Sequence, residues 1–172
     1  MCRLGILAYG SLIEEPGNEI KPIIRERIAG VETPFCIEFA RSSSTRDGAP
    51  TVIPVENGGA RVRATILVLE ESTPTETAKD LLWRRETRNE STNNHYKKPV
   101  SPNPNSMVVE ELAHFGGVET VLYTKLGANI EDLIITPFCR QGEKPVSSLK
   151  GELAWKRRNA ERNTNGSSRL MP

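Results

Sequence analysis

The sequence predicts an α+β fold in one domain spanning residues 1–172. Strand-like apolar runs recur between residues 4 and 69, and a helix with a recognisable start follows at 74–87. The composition, 37% hydrophobic and 26% charged, is that of an ordinary globular chain. At 172 residues the chain buries roughly 70% of the surface its unfolded form exposes, so a core needs neither metal nor disulfide. Aromatics supply only 5%, which leaves the core to aliphatic side chains.

Residues 4–9 form a short apolar run stopped by Gly10-Ser11, the pattern of a buried strand entering a turn. Further strands are expected at 23–28 and 35–41, the second alternating Phe35, Ile37 and Phe39 against Cys36, Glu38 and Ala40. After the polar stretch 42–48, two more runs, 51–55 and 60–69, flank Glu56-Asn57-Gly58-Gly59. Asn-Gly between strands predicts a hairpin joining them.

Thr73-Pro74-Thr75-Glu76 matches a capping box, with Thr73 as N-cap, Pro74 in the first turn and Glu76 reaching back. The helix that follows places Ala78, Leu81 and Leu82 on its buried stripe. The i, i+4 spacing from Leu82 brings Glu86 to the flank of that stripe, with Arg85 nearer the middle. Residues 89–106, rich in Asn, Pro and Ser, read as a long mobile surface loop suited to covering a site. Strand character returns at 118–126, and Ser147 or Ser148 caps a last helix carrying Leu149, Leu153 and Ala160.

Lys plus Arg number 23 against 22 Asp plus Glu, so the net charge of +1 supplies no field that would gather nucleic acid or an anionic membrane. The N-terminal apolar stretch is too short for a signal sequence, and no run approaches the ~20 residues of a membrane span. Cys2, Cys36 and Cys139 are odd in number and widely spaced, as expected for free thiols in a reducing, cytoplasmic setting. These cysteines with His95 and His114 show no close ligand pair, so no metal site is expected.

Ser11 lacks the G-x-S-x-G elbow of a hydrolase nucleophile, because Ile13 stands where the second glycine is needed. Lys156, Arg157, Arg158 and Arg162 share their helix with Glu152 and Glu161, the pattern of a solvated face. The turn at Tyr9-Gly10-Ser11-Leu12 is suited to holding a carboxylate or phosphate by backbone amides and a hydroxyl. Glu86 by itself reads better as an ion-pair partner of Arg85, Arg84 or Lys79 than as a catalytic group.

Taken together, Ala8-Tyr9-Gly10-Ser11-Leu12 at the end of a first strand, Arg41-Ser42-Ser43 with residues 45–51, and Leu82-Trp83-Arg84-Arg85-Glu86 resemble the gamma-glutamylcyclotransferase-like family, ChaC-type relatives included. The resemblance covers the first half of the chain; Val121-Leu122-Tyr123-Thr124 adds a looser likeness. It implies a small antiparallel β-barrel flanked by helices, with the Y-G-S turn at the barrel mouth. It further implies that Tyr9, Gly10, Ser11 and Leu12 bind the α-amino and α-carboxylate end of a gamma-glutamyl group, and that Glu86 is the acid/base residue. Glu70, Glu71 and Glu90 are weaker candidates because none occupies the R-E position.

The implied reaction is attack of the substrate's own α-amine on its γ-carbonyl, releasing 5-oxoproline and an amine. It needs no cofactor, because the nucleophile is already tethered. One carboxylate takes the proton from the attacking amine and returns it to the leaving nitrogen. Glu86 and the Gly10-Ser11 turn are expected at one solvent-reachable cavity. The expected partner is a small gamma-glutamyl compound, with no nucleic acid and no membrane. The alternative is a non-catalytic small-metabolite-binding or protein-interaction module on the same fold; a basic-helix nucleic-acid binder is the third reading.

Overall fold

The computed structural model describes residues 3–43, 48–56 and 58–130. The expected last helix, its basic cluster and residues 45–47 of the family-like segment lie outside the described residues. What is described is a mixed α+β arrangement of seven strands and one α-helix.

Strand β1 (Leu4–Ala8) is buried at every position because the sheet is covered on both faces. Leu4, Ile6 and Ala8 point to one face and Leu7 to the other, as period-two alternation requires. β1 pairs antiparallel with β5 (Arg63–Leu69), Ile6 opposite Leu67, and parallel with β7 (Val118–Lys125), Ile6 opposite Leu122. With β2 (Ile24–Glu32) and β6 (Val108–Phe115) at the edges, the order is β2-β5-β1-β7-β6.

Helix α1 (Thr75–Glu86) lies against β6 and β7 and sets Ala78, Leu81 and Leu82 into the core with Leu4, Ile6, Leu67 and Leu122. The opposite face packs Leu7, Ile66, Val68 and Val121, rimmed by Tyr9, Phe35 and Tyr123. Phe35 lies between the two tyrosines, with its ring centroid 4.7 Å from that of Tyr123 and 6.3 Å from that of Tyr9.

Several expectations are corrected here. The sheet is mixed and open, not an antiparallel barrel. β2 and β6 share no ladder, and β3 (Cys36–Ser42) with β4 (Pro50–Val55) forms a separate two-stranded sheet. One α-helix is present among the described residues, and the second expected helix lies outside them.

The hairpin across Asn57-Gly58 does not join residues 51–55 to 60–69. β4 pairs back on β3, while β5 pairs with β1 and β2. The reason is local: Gly58 and Gly59 both take positive φ, and Ala60 exchanges backbone hydrogen bonds of 2.8 and 3.1 Å with Ile37. A Cβ at Gly59 would stand 2.5 Å from the Ile37 carbonyl oxygen, so only glycine lets the chain cross the end of β3 there. A register shift between Glu38 and Arg41 likewise breaks the simple alternation of β3 and leaves both Ile37 and Ala40 buried.

The capping box is not made. α1 begins one residue later, with Pro74 in the N-cap position, and Glu76 accepts a hydrogen bond from Lys79 at 2.6 Å instead of reaching back. Cys36 is disulfide-bonded, which corrects its expectation as a free thiol; Cys2 and Cys139 lie outside the described residues. Spacing along the chain says little about which Cα atoms approach within the ~7 Å a bridge needs.

Residues 89–106 carry no strand or helix, as expected, yet their middle is tied down. The Tyr96 side chain packs on the core, and its hydroxyl accepts the Val109 N–H at 3.0 Å. No helix among the described residues is long and apolar enough to cross a membrane.

Leu82 is fully buried at the centre of the α1 stripe. Leu82→Ala should therefore lower the free energy of unfolding by about 2–5 kcal/mol. Val100→Ala, at a fully exposed position, should change it by less than about 0.5 kcal/mol. Urea unfolding followed by circular dichroism measures both.

Candidate functional site

β1 ends at Ala8, Tyr9 is extended, and Gly10 turns the chain at φ +60 into a 3-10 turn, Gly10–Leu12. Gly10 and Ser11 are exposed, while the Leu12 side chain is buried in the core beneath them, so the turn is anchored from below and open above. The last turn of α1 lies alongside. This follows from the stripe of Ala78, Leu81 and Leu82, which fixes the helix on the sheet and carries its end to the end of β1.

Arg85 joins the two segments. Its Nη1 donates to Glu86 Oε1 at 2.7 Å, its Nε and Nη2 donate to the Glu15 carbonyl at 3.1 and 2.7 Å, and Nη2 lies 3.4 Å from Ser11 Oγ. The stem of Arg85 passes Gly17, where an added Cβ would stand 2.8 Å from its Cγ. Glu86 retains 22% of its side-chain exposure and Arg85 17%, so the pair is screened but reachable. Tyr9 belongs to the same neighbourhood. Burial first, and then the negative charge of Glu86, push its phenol well above the ordinary tyrosine value, so the hydroxyl stays protonated. It donates to the Thr124 carbonyl at 3.4 Å.

The structure thus brings Tyr9, Gly10, Ser11 and Glu86 together, while the Leu12 side chain points into the core. Glu70 and Glu71 lie before α1, Glu71 paired with Arg25. Glu90 caps the Asn18 amide at 2.8 Å. Arg41 serves elsewhere: it donates to the carbonyls of Pro104 and Gly127 and to Asn105 Oδ1, each at 2.8 Å, tying β3 to the long loop. Two cavities of about 250 and 230 Å3 are also present. One lies between α1 and β6 beside Lys79, Lys98 and Glu111, the other beside Arg3, Arg25 and Glu71. Neither is lined by Tyr9, Gly10, Ser11, Leu12 or Glu86, so the expected large cavity at the turn is not one of these two. No group of three or more His, Cys, Asp or Glu among the described residues is arranged to hold a metal.

Two interactions behind the site escaped the sequence. Arg84, not Arg85, is the buried arginine: its side chain is 10% exposed and forks onto Glu19, Nε to Oε2 at 3.0 Å and Nη2 to Oε1 at 3.1 Å. Its Nη1 donates to the Asn94 carbonyl at 3.0 Å. Its position three residues after Leu81 was a usable signal, whereas nothing in the local pattern marks Glu19.

Asp80 accepts the Tyr96 N–H at 2.7 Å and pairs with His95 Nδ1 at 2.7 Å, holding the long loop on α1. Burial alone would raise its pKa. The hydrogen bonds from His95 and Tyr96, with the charges of His95 and Arg84, outweigh burial and hold it below the ordinary aspartate value.

Comparison with known proteins finds no family model, no curated protein and no solved structure that matches the chain.

Removing Glu19 would leave the Arg84 guanidinium buried without its counter-charge, so Glu19→Ala should cost about 3–5 kcal/mol. Glu76→Ala, which removes an exposed partner of Lys79, should cost no more than about 1 kcal/mol. Chemical denaturation of the two variants separates them. Because the folded pKa of Asp80 is depressed, its contribution is complete above about pH 4 and is lost as pH falls through the lower folded value. Asp80→Asn should therefore be less stable than the parent at pH 7 and lose less additional stability below about pH 4. Thermal unfolding as a function of pH measures this difference.

Proposed function

We propose that the chain is a gamma-glutamylcyclotransferase-like enzyme that releases 5-oxoproline from a gamma-glutamyl amine or peptide. The single observation that carries the reading is the meeting of two segments far apart in sequence: Ser11 and Glu86 both lie within reach of the Arg85 guanidinium. The resemblance in sequence assigns these two segments to substrate holding and proton transfer, and a shared location is what that chemistry requires.

In this reading the turn of Tyr9, Gly10, Ser11 and Leu12 holds the charged α-end of the gamma-glutamyl group. The α-amine attacks the γ-carbonyl, and the new C–N bond closes the five-membered lactam as the old C–N bond breaks. Glu86 takes the proton lost by the attacking nitrogen and delivers it to the departing amine. Tyr9, protonated near Glu86, would have to leave the Thr124 carbonyl to donate to the carboxylate or the developing oxyanion. The substrate class is a small gamma-glutamyl compound, met without nucleic acid, membrane or cofactor.

A second reading, a small-metabolite-binding or protein-interaction module on the same fold, is favoured by one observation: the two cavities described above lie away from the turn and Glu86. The test is 5-oxoproline release from a panel of gamma-glutamyl compounds. Glu86→Gln keeps shape and removes the base, so turnover should fall by on the order of 10²-fold or more with substrate binding retained. Ser11→Ala should weaken binding more moderately. Undiminished turnover in Glu86→Gln overturns the catalytic assignment. No turnover by the parent, with tight ligand binding at the turn or at either cavity, favours the module.

A further inference from the structure

We propose that the cavity between α1 and β6 is a binding site for a small basic amino acid, a ligand with an α-amine, a carboxylate and a second ammonium at its far end. Its volume, about 250 Å3, lies below the roughly 300–1,000 Å3 of sites for drug-sized ligands, which restricts the occupant to a small metabolite. Three segments build the walls. α1 contributes Glu76 and Lys79, β6 contributes Val109, Glu110 and Glu111, and the long loop contributes Tyr96 and Lys98. Lys79 is the fixed cation: its side chain is 18% exposed, and its Nζ pairs with Glu76 Oε1 at 2.6 Å and Glu111 Oε1 at 2.8 Å. The hydrogen bond to Glu111 first, and then that to Glu76, raise its pKa above the ordinary lysine value, so it stays charged. Lys98 is held more weakly. It meets Glu110 at 2.9 Å, but 62% of its side chain is exposed, and ion pairs of that kind are readily exchanged.

The charges select the ligand. Both ammoniums of the lining are already matched to carboxylates, so a simple anion or a simple cation enters only by breaking a pair and leaving one partner unmatched. An amine and a carboxylate arriving together exchange with the Lys98–Glu110 pair instead. The ligand carboxylate takes Lys98, its α-amine takes Glu110, and each charge keeps an opposite partner. Among the described residues the lining holds three carboxylates and two ammoniums, and this excess of one negative charge is neutralised by a second ligand ammonium. Tyr96 and Val109 form the apolar part of the lining, held together by the hydrogen bond from the Val109 N–H to the Tyr96 hydroxyl, and they suit the methylene chain between the ligand's two ends. None of the residues of the Tyr9-Gly10-Ser11 turn lines this cavity, so the site stands apart from the chemistry proposed there.

The experiment is calorimetric titration of the full chain at low ionic strength with L-ornithine as the probe, which should bind at one site with a Kd of about 1 mM or tighter. L-Norvaline, which lacks the terminal ammonium, and 1,4-diaminobutane, which lacks the carboxylate, should each bind at least about 10-fold more weakly. L-Glutamate, with the opposite charge at its far end, should bind more weakly still. Glu110→Gln and Lys98→Met should each weaken L-ornithine by about 10-fold, whereas Glu26→Gln, at the second cavity, should leave its affinity unchanged. Amide NMR of the parent supplies a readout that needs no variant: L-ornithine should shift the signals of residues 79, 96, 98 and 110. Absence of saturable L-ornithine binding, equal affinity for all four compounds, unchanged affinity in Glu110→Gln, or shifts that spare those residues each overturns the proposal. If a variant fails to fold by circular dichroism, the compound series and the shifts in the parent decide.

Discussion

Burial of β1 on both faces is the constraint on which the rest of the described structure depends. A strand of five apolar residues, hydrogen-bonded to β5 on one side and β7 on the other, cannot slip by one residue. Such a slip would exchange Leu4, Ile6 and Ala8 for Gly5 and Leu7 against the helix. The fixed register sets where β1 ends, and so where the chain must turn at Gly10. The same face receives Ala78, Leu81 and Leu82, which fixes α1 along its axis. Two rigid elements packed through one apolar layer therefore hold their polar ends, the turn and residues 84–86, in one place.

The polar side of α1 does a second job, because Asp80, Arg84 and Arg85 in its later turns reach the two connecting segments 11–19 and 94–96. Asp80 holds residues 95 and 96, Arg84 holds Glu19 and the Asn94 carbonyl, and Arg85 holds the Glu15 carbonyl and approaches Ser11. Hydrogen bonds to a charged, screened group contribute about 1.5–3 kcal/mol each. Pairs exposed at both ends, such as Arg3 with Glu26 or Arg25 with Glu71, contribute about 1 kcal/mol or less. The ordering of the loops is thus concentrated on one helix, and the candidate site inherits its rigidity from that helix rather than from the loops themselves.

The tie between α1 and residues 94–96 also changes how the long connection is understood. Its composition marks a loop, and it has no regular structure. Composition does not reveal that Asp80 and Arg84 meet its middle, because the meeting depends on a helix face opposed to a segment that carries no period of its own. The β6–β7 pair is a contrasting case. Gly116-Gly117 between two apolar runs is a hairpin signal readable in the sequence, and it joins β6 to β7. The weak alternation of residues 108–115 hides the first of the two strands.

The residue order alone encodes what short-range physics controls. It gave the strand 4–8 ending at a glycine turn, the segments of β2 to β5 to within a few residues, the helix with its buried Ala78, Leu81 and Leu82, and the adjacency of Arg85 and Glu86. These depend on side-chain period, turn chemistry and neighbours one to four residues apart. Long-range packing sets the rest: β4 turns back on β3 rather than forward onto β5, and the sheet stays open. The same packing decides that Cys36 is bridged and that Arg84 finds Glu19. Each of these joins residues far apart along the chain. Their pairing is set by which surfaces the packed strands and helix bring within a few ångströms, and no local pattern encodes that distance.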